Sequence, residues 1–194
     1  MTAARRRAPN PAKRTRRAAS SPSRARTGEH AAAQRSPRPV GVAIITVSDT
    51  RRGADDTSGA TAERMLLRAG CAVASRAWVR DEVAAIRRAL RAALARPEVD
   101  AVVLTGGTGV APRDVTPEAV EPLLERPLPG FGERFRALSW DTVGTAAWLS
   151  RAGAGVARGR LVVYLPGSVG AVQQALDSLL IPELVHVVRL LGRF

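Results

Sequence analysis

From residue 40 onward the apolar positions follow two alternating patterns. Residues 40–47 (VGVAIITV) form a β-branched run without polar interruption, as expected of a strand buried on both faces. After a polar stretch, Ala62, Met65, Leu66 and Ala69 recur at i, i+3, i+4 and i+7, giving a helix one apolar face; Gly70 ends it. Residues 71–79 predict a second strand. Val83, Ile86, Leu90 and Leu94 line the next helix, with Arg87, Arg88 and Arg91 on its other side. Residues 100–105 (DAVVLT) and 159–165 (GRLVVYL) predict two more strands. C-terminal helices follow, with Val172, Leu176 and Leu179, then Leu184, Val187, Val188 and Leu191, on their apolar faces. Strands alternating with helices predict an α/β domain with a mainly parallel sheet covered on both faces.

Residues 1–38 break this pattern. They contain no Val, Ile, Leu, Phe, Trp or Tyr, so nothing there can offset the entropy of ordering, and a disordered tail is predicted ahead of one domain at 39–194. The chain of 194 residues has a net charge of +13, which by itself points to nucleic acid. Eleven of the basic residues and a single acid fall in 1–38, leaving 19 basic and 16 acidic residues, a net +3, in 39–194. The tail reads as a solvated extension or as an arm making weak contacts with polyanions. Its Arg, Ala and Ser content also suits an organelle transit peptide, although its prolines count against the amphipathic helix of a mitochondrial one. No segment approaches the ~20 apolar residues of a membrane span or resembles a secretory signal. Cys71 is the only cysteine, which excludes an internal disulfide framework and a Cys-cluster metal site. A cytoplasmic protein is the expectation.

In a parallel α/β sheet, ligands bind in loops at the carboxyl ends of strands. The most informative such loop is Thr105-Gly106-Gly107-Thr108-Gly109, whose glycines allow close backbone approach and whose successive N–H groups can form an anion nest. Pro112-Arg113-Asp114-Val115-Thr116-Pro117 follows, with Thr116 expected to cap a helix that has Pro117 in its first turn. Arg113 adds positive charge. An acid among phosphate-binding features calls for a cation between them, so Asp114 suggests Mg²⁺. A second loop, Leu165-Pro166-Gly167-Ser168, also leads from a strand into a helix, with Ser168 as cap, phosphate ligand or both. The third begins at Ser48 and runs to Gly59; Asp55 and Asp56 there are read as structural, with Asp56 or Ser58 capping the next helix. Asp81 should lie beside the Asp114 loop if the second and third strands are neighbours.

Other chemistries lack their residues. Neither a Walker A motif nor a GxGxxG fingerprint occurs. His30 and His186 are the only histidines, and without a Cys pair zinc is not expected. Cys71 opens an apolar strand and is read as buried and inert. Trp78, Trp140 and Trp148 lack basic interleaving and read as core or interface residues.

The segments VAIITVSDTRRGADDTSG, LTGGTGVAPRDVTPEAVEPLL, LPGFGERFRALSWDTVGTAAWLSRAGAGVARG and LPGSVGAV, in this order and spacing, resemble the MoaB/Mog family of molybdenum-cofactor biosynthesis proteins over about residues 40–194. The ADDTSG loop and the GFGERFRALS segment are more similar to the MoaB branch. The resemblance implies a three-layer α/β/α sandwich, trimers or hexamers, and molybdopterin adenylyltransferase activity: molybdopterin and ATP, with Mg²⁺, give adenylylated molybdopterin and pyrophosphate. It also implies that Asp81 and Asp114 are catalytic and hold Mg²⁺ directly or through water. Gly106, Gly107, Thr108 and Gly109 would cradle phosphate, with Ser48, Thr105 and Arg113 as further substrate-binding residues; Ser150, Pro166, Gly167 and Ser168 would help bind the pterin.

The attacking phosphate is already ionised, so such a reaction needs positioning and charge neutralisation rather than a strong base. Three other functions share part of the pattern. One is a catalytically weak molybdopterin carrier or scaffold, and another is nucleic-acid binding through the tail. The last is molybdate insertion, which usually belongs to a longer, multidomain protein.

Overall fold

The computed structural model describes residues 37–51 and 53–194; the basic segment through residue 36 lies outside the described residues. Six strands, β1 (Gly41–Val47), β2 (Ala72–Val79), β3 (Ala101–Thr105), β4 (Arg126–Pro127), β5 (Gly153–Ala157) and β6 (Arg160–Leu165), form one sheet. Their order across it is β2-β1-β3-β6-β5-β4. Strands β2, β1, β3 and β6 are parallel, whereas β5 runs antiparallel to β6 and β4 antiparallel to β5. The sheet is thus mainly parallel, as expected, with an antiparallel edge that the apolar pattern did not reveal. Glycine explains the omission. A Cβ on Gly153 would stand 2.3 Å from the Tyr164 hydroxyl, and one on Gly155 would stand 2.7 Å from Leu124. Close packing there excludes the β-branched residues that announce a strand.

The described residues also form six α-helices, in chain order α1 (Thr57–Arg68), α2 (Val83–Leu94), α3 (Thr116–Val120), α4 (Pro129–Val143), α5 (Val169–Ala175) and α6 (Ile181–Leu190). The period-2 alternation of the strands splits the core in two. Val42 and Ile44 of β1 and Val163 of β6 face Leu66, Phe135, Val172 and Leu184 of α1, α4, α5 and α6. Ala43, Ile45 and Val47 face Ile86, Leu90 and Val120 of α2 and α3. All seven residues of β1 are buried, whereas β2 is a partly exposed edge strand. A π-helical turn, Leu176–Leu180, joins α5 to α6. Asp56 caps α1, accepting from the Gly59 N–H at 2.8 Å, so the structural reading of that acid holds. No helix among the described residues is long and apolar enough to cross a membrane.

At the other end of the sheet, one buried carboxylate ties the two ends of the domain together. Asp100, fully buried, accepts from the Gly41 N–H at 2.9 Å, from Arg38 at 2.6 and 2.8 Å, and from Arg193 at 3.0 Å. The Arg38 guanidinium also lies 5.4 Å from the centre of the Phe194 ring. Arg38, the last residue of the basic segment, is therefore docked on the domain. Burial pushes the Asp100 carboxyl up, but the hydrogen bonds from Arg38, Gly41 and Arg193 outweigh it, and the net shift is downward.

Asp100→Ala should lower the unfolding free energy by roughly 2–3 kcal/mol in urea at pH 7. That is below the loss for a wholly buried pair, because Arg38, 41% exposed, can return to water. A carboxyl with a lowered native pKa stabilises the fold above the ordinary value of ~3.9 and loses that contribution as pH falls through the native value. The wild-type and variant stabilities should therefore converge in acid; equal midpoints at pH 7 would contradict this role. A chain beginning at Pro39 should likewise unfold at lower urea than one beginning at Pro37, which retains Arg38.

Candidate functional site

The chain leaves β1 through α1 on one face of the sheet and leaves β3 through α3 on the other. The crevice between the carboxyl ends of β1 and β3 is therefore a topological switch point, where open α/β sheets bind ligands. Thr105 and Leu165 end β3 and β6 in register with Thr46, one residue before the end of β1. A cavity of about 300 Å³ opens there, lined by Ser48, Asp49, Asp81, Thr105, Gly107 and Gly167 among others. Asp81 does reach the glycine loop, although β1 separates β2 from β3.

The glycine loop is held by its carbonyls. Gly106 and Gly107 have φ of 104° and 63°, which favour glycine. A Cβ on Gly106 would stand 2.1 Å from the Val47 carbonyl oxygen; one on Gly107 would stand 2.4 Å from an Asp81 carboxylate oxygen. The Thr116 hydroxyl donates to the Gly106 carbonyl at 2.8 Å and the Thr116 N–H to Gly107 at 2.9 Å. The Arg151 N–H donates to Thr108 at 2.9 Å and its Nε to Gly109 at 2.7 Å. In a trans peptide the C=O and the next N–H point in opposite directions. Anchoring these four carbonyls thus turns the N–H groups of Gly107, Thr108, Gly109 and Val110 the other way, and no hydrogen bond among the described residues takes them up. Four successive donors without a partner among the described residues are the raw material of an anion nest.

Thr116 accordingly is not the cap of α3. Val115 holds that position without a side-chain hydrogen bond, and the Thr116 hydroxyl serves the loop instead. Ser168 does cap α5, accepting from the Ala171 N–H at 3.3 Å.

The acids beside the nest are imperfectly satisfied. One Asp81 carboxylate oxygen is buried without a hydrogen-bond partner among the described residues, as is the Thr108 hydroxyl. Burial, then the neighbouring Asp49 and Asp114 charges, pushes the Asp81 carboxyl above the usual range, against a downward pull from Arg113. Arg113 ion-pairs with Asp49 at the rim. Asp114 accepts from the Ala111 N–H at 2.9 Å and packs against Gly109, where a Cβ would meet it at 2.7 Å. A cation would relieve this unmatched negative charge. No three acidic, histidine or cysteine side chains among the described residues converge as a protein-only metal cage. The donor set instead suits Mg²⁺, which commonly binds through one or two carboxylates, water and substrate phosphate.

Ser48, Asp81, Thr105, Gly107 and Gly167 therefore share one cavity, with Gly106, Thr108, Gly109 and Asp114 in the adjoining loop and Arg113 at the rim. Ser150, Pro166 and Ser168 line a neighbouring, mainly apolar cavity of about 420 Å³ under α4 and α5. Gly167 joins the two; a Cβ there would stand 3.2 Å from the Gly106 Cα. Asp49 and Arg151 do not stand out in the sequence, and Ser58 does so only as a possible helix cap. Asp49 sits in a strand-end loop, a usable signal; Ser58 meets Thr105 hydroxyl to hydroxyl at 3.3 Å. Cys71 is half-buried, with its thiol pushed up by burial, as expected of an inert cysteine. Trp140 and Trp148, 53% and 68% exposed, are not core residues.

Comparison with known proteins agrees with this geometry. Residues 43–186 match the family described as "Probable molybdopterin binding domain". The chain is 48% identical to molybdenum cofactor biosynthesis protein B of Bacillus subtilis over 157 residues, 80% of this chain and 92% of that one. A crystal structure of a molybdenum cofactor biosynthesis protein B superposes with a TM-score of 0.79 at 41% identity, covering 82% of this chain and all of that one. The Mog protein of Mycobacterium ulcerans superposes with a TM-score of 0.71 at 31% identity, covering 81% of this chain and 99% of that one. The nest, the acids beside it and the two strand-end loops lie within the matched span, and the chain belongs to the MoaB/Mog family of molybdenum-cofactor biosynthesis proteins.

Proposed function

We propose that this protein is a Mg²⁺-dependent molybdopterin adenylyltransferase that works as a homotrimer or a hexamer built from trimers. The observation that carries the reading is the run of four free N–H groups at Gly107, Thr108, Gly109 and Val110 beside the unpartnered Asp81 oxygen. A nest for anions next to a site for a cation suits a substrate carrying both.

A phosphate oxygen of molybdopterin attacks the α-phosphorus of ATP. The new P–O bond forms as the bond to the β-phosphate bridging oxygen breaks, and pyrophosphate leaves with that electron pair. The four N–H groups hold phosphate oxygens, and the Thr108 hydroxyl gains a partner among them. Asp81 and Asp114 hold the cation directly or through water. Ser150, Pro166 and Ser168 take the pterin in the apolar cavity, and Gly167 lets the backbone pass between the two substrates. When bound, Mg²⁺ neutralises charge that would otherwise keep the phosphates apart. The apolar strip of Trp140, Val143 and Trp148 motivates self-association. We further propose a cytoplasmic location and weak polyanion contacts through residues 1–38.

Purified full-length protein with molybdopterin, ATP and Mg²⁺ should yield adenylylated pterin and one equivalent of pyrophosphate. Asp81→Asn and Asp114→Asn should each lower the single-turnover rate by at least ~10²-fold, a loss of the kind seen when a transition-state donor is removed, while pterin affinity stays within about threefold. Pterin binding without AMP transfer by the wild type would replace this reading with that of a carrier. Light scattering should report a trimer or a multiple of one; a stable monomer would contradict the assembly.

A raised carboxyl pKa destabilises the fold once the group ionises. In EDTA, Asp81→Asn should therefore unfold at higher urea than wild type at pH 7. The gap should narrow as pH falls below the raised native value and vanish near the ordinary aspartate value, where the acid is protonated folded or unfolded. A variant less stable than wild type at pH 7 would mean that Asp81 is satisfied without a cation.

A further inference from the structure

We propose that Arg151 is a positioning residue for the anion nest, holding the glycine loop in its donor-outward conformation from behind. The inference rests on the reading of that loop as a phosphate site. Arg151 comes from the two-residue link between the 3₁₀ turn Gly144–Leu149, with Ser150 after it, and β5. It makes four contacts with the loop and its continuation. Its N–H donates to the Thr108 carbonyl at 2.9 Å and its Nε to Gly109 at 2.7 Å. One Nη donates to the Asp114 carbonyl at 2.5 Å; the other pairs with Glu118.

These contacts reach three peptide groups that chain connectivity leaves free to turn. Gly109 has no Cβ, and Thr108 and Gly109 lie outside any strand or helix. The Gly106 and Gly107 carbonyls are already held by Thr116 from within the loop's own continuation. Without the Arg151 side chain, the Gly109–Val110 peptide would lose its anchor and could rotate its N–H out of the nest. The Asp114 carbonyl would also be released, and with it the backbone carrying one of the two acids. Arg136 steadies Arg151 from either side, donating to the Ser150 carbonyl at 3.3 Å and the Ala152 carbonyl at 3.4 Å.

The planar fork matters as much as the charge. Nε and one Nη reach two carbonyls at once, while a lysine ammonium is a point charge on a flexible stem and cannot reproduce that geometry. The Glu118 contact is different: that carboxylate is 51% exposed, and a solvent-facing ion pair adds little.

The test is the affinity of the full-length chain for inorganic pyrophosphate, measured by calorimetry with Mg²⁺ present, beside its urea unfolding midpoint and AMP transfer. Arg151→Met should weaken pyrophosphate binding at least tenfold. Arg151→Lys should weaken it at least fivefold while keeping an unfolding midpoint near wild type, and Glu118→Gln should stay within twofold. A purely structural role would instead lower the midpoint and leave the folded protein's affinity unchanged. The inference is overturned if Arg151→Lys binds pyrophosphate within twofold of wild type, or if wild type does not bind it. Should Arg151→Met fail to fold, Arg151→Lys still decides. Wild type that binds pyrophosphate but transfers no AMP would sink the proposed reaction and leave the role of Arg151 standing.

Discussion

The trans geometry of the peptide group governs this site. A loop can offer its N–H groups to a ligand only if something on the other side holds the carbonyls. Here Thr116 holds two and Arg151 holds two more, while the Gly106 N–H is spent on the Leu165 carbonyl at 2.9 Å. The last bond seats the loop on β6, and the others turn four donors outward. The glycines are what make this conformation available. Gly106 and Gly107 adopt positive φ, and each lies so close to Val47 or Asp81 that a side chain would collide. The topology brings the loop to a useful place, because the crossovers diverge between β1 and β3 and leave the strand ends open.

Electrostatics completes the arrangement at a cost to the empty fold. Asp81 is half-buried, with one buried and unpartnered oxygen, and its carboxyl is raised by burial and by Asp49 and Asp114. A protein selected for stability alone would not keep such a group; one that binds a cation with its substrate has reason to. Asp100 at the opposite end of the sheet shows the contrast. It is more deeply buried, yet its hydrogen bonds to Arg38, Gly41 and Arg193 leave it below its usual range. Two aspartates at opposite ends of one sheet thus shift in opposite directions, according to whether the protein itself supplies the positive partner.

Much of this was legible in the sequence. The β-branched runs of β1 and β3 mark the sheet, the helical spacing of Ala62, Met65 and Leu66 marks one helix layer on it, and the glycine loop and Asp114 stand out by composition. What stayed hidden has physical reasons. Strand β5 is glycine-rich because Tyr164 and Leu124 occupy the space of its side chains. Thr116 carries the composition of a cap but spends its hydroxyl on Gly106, a choice fixed by tertiary approach. Arg151 lies far along the chain from the loop it holds, amid arginines of no special spacing, so only the fold identifies it. Trp140 and Trp148 are apolar enough for a core, yet the helix and turn that carry them leave both outside.

The central claim is that the N–H groups of Gly107, Thr108, Gly109 and Val110 receive substrate phosphate beside a cation held by Asp81. The most direct measurement is an amide-resolved NMR titration of the protein with ATP, with and without Mg²⁺. The account predicts that these four amides show the largest shifts, that Mg²⁺ strengthens the response, and that Asp81→Asn removes the Mg²⁺ effect while leaving the loop's own spectrum in place. Saturation by ATP with those four amides unmoved, and the shifts elsewhere, would contradict it.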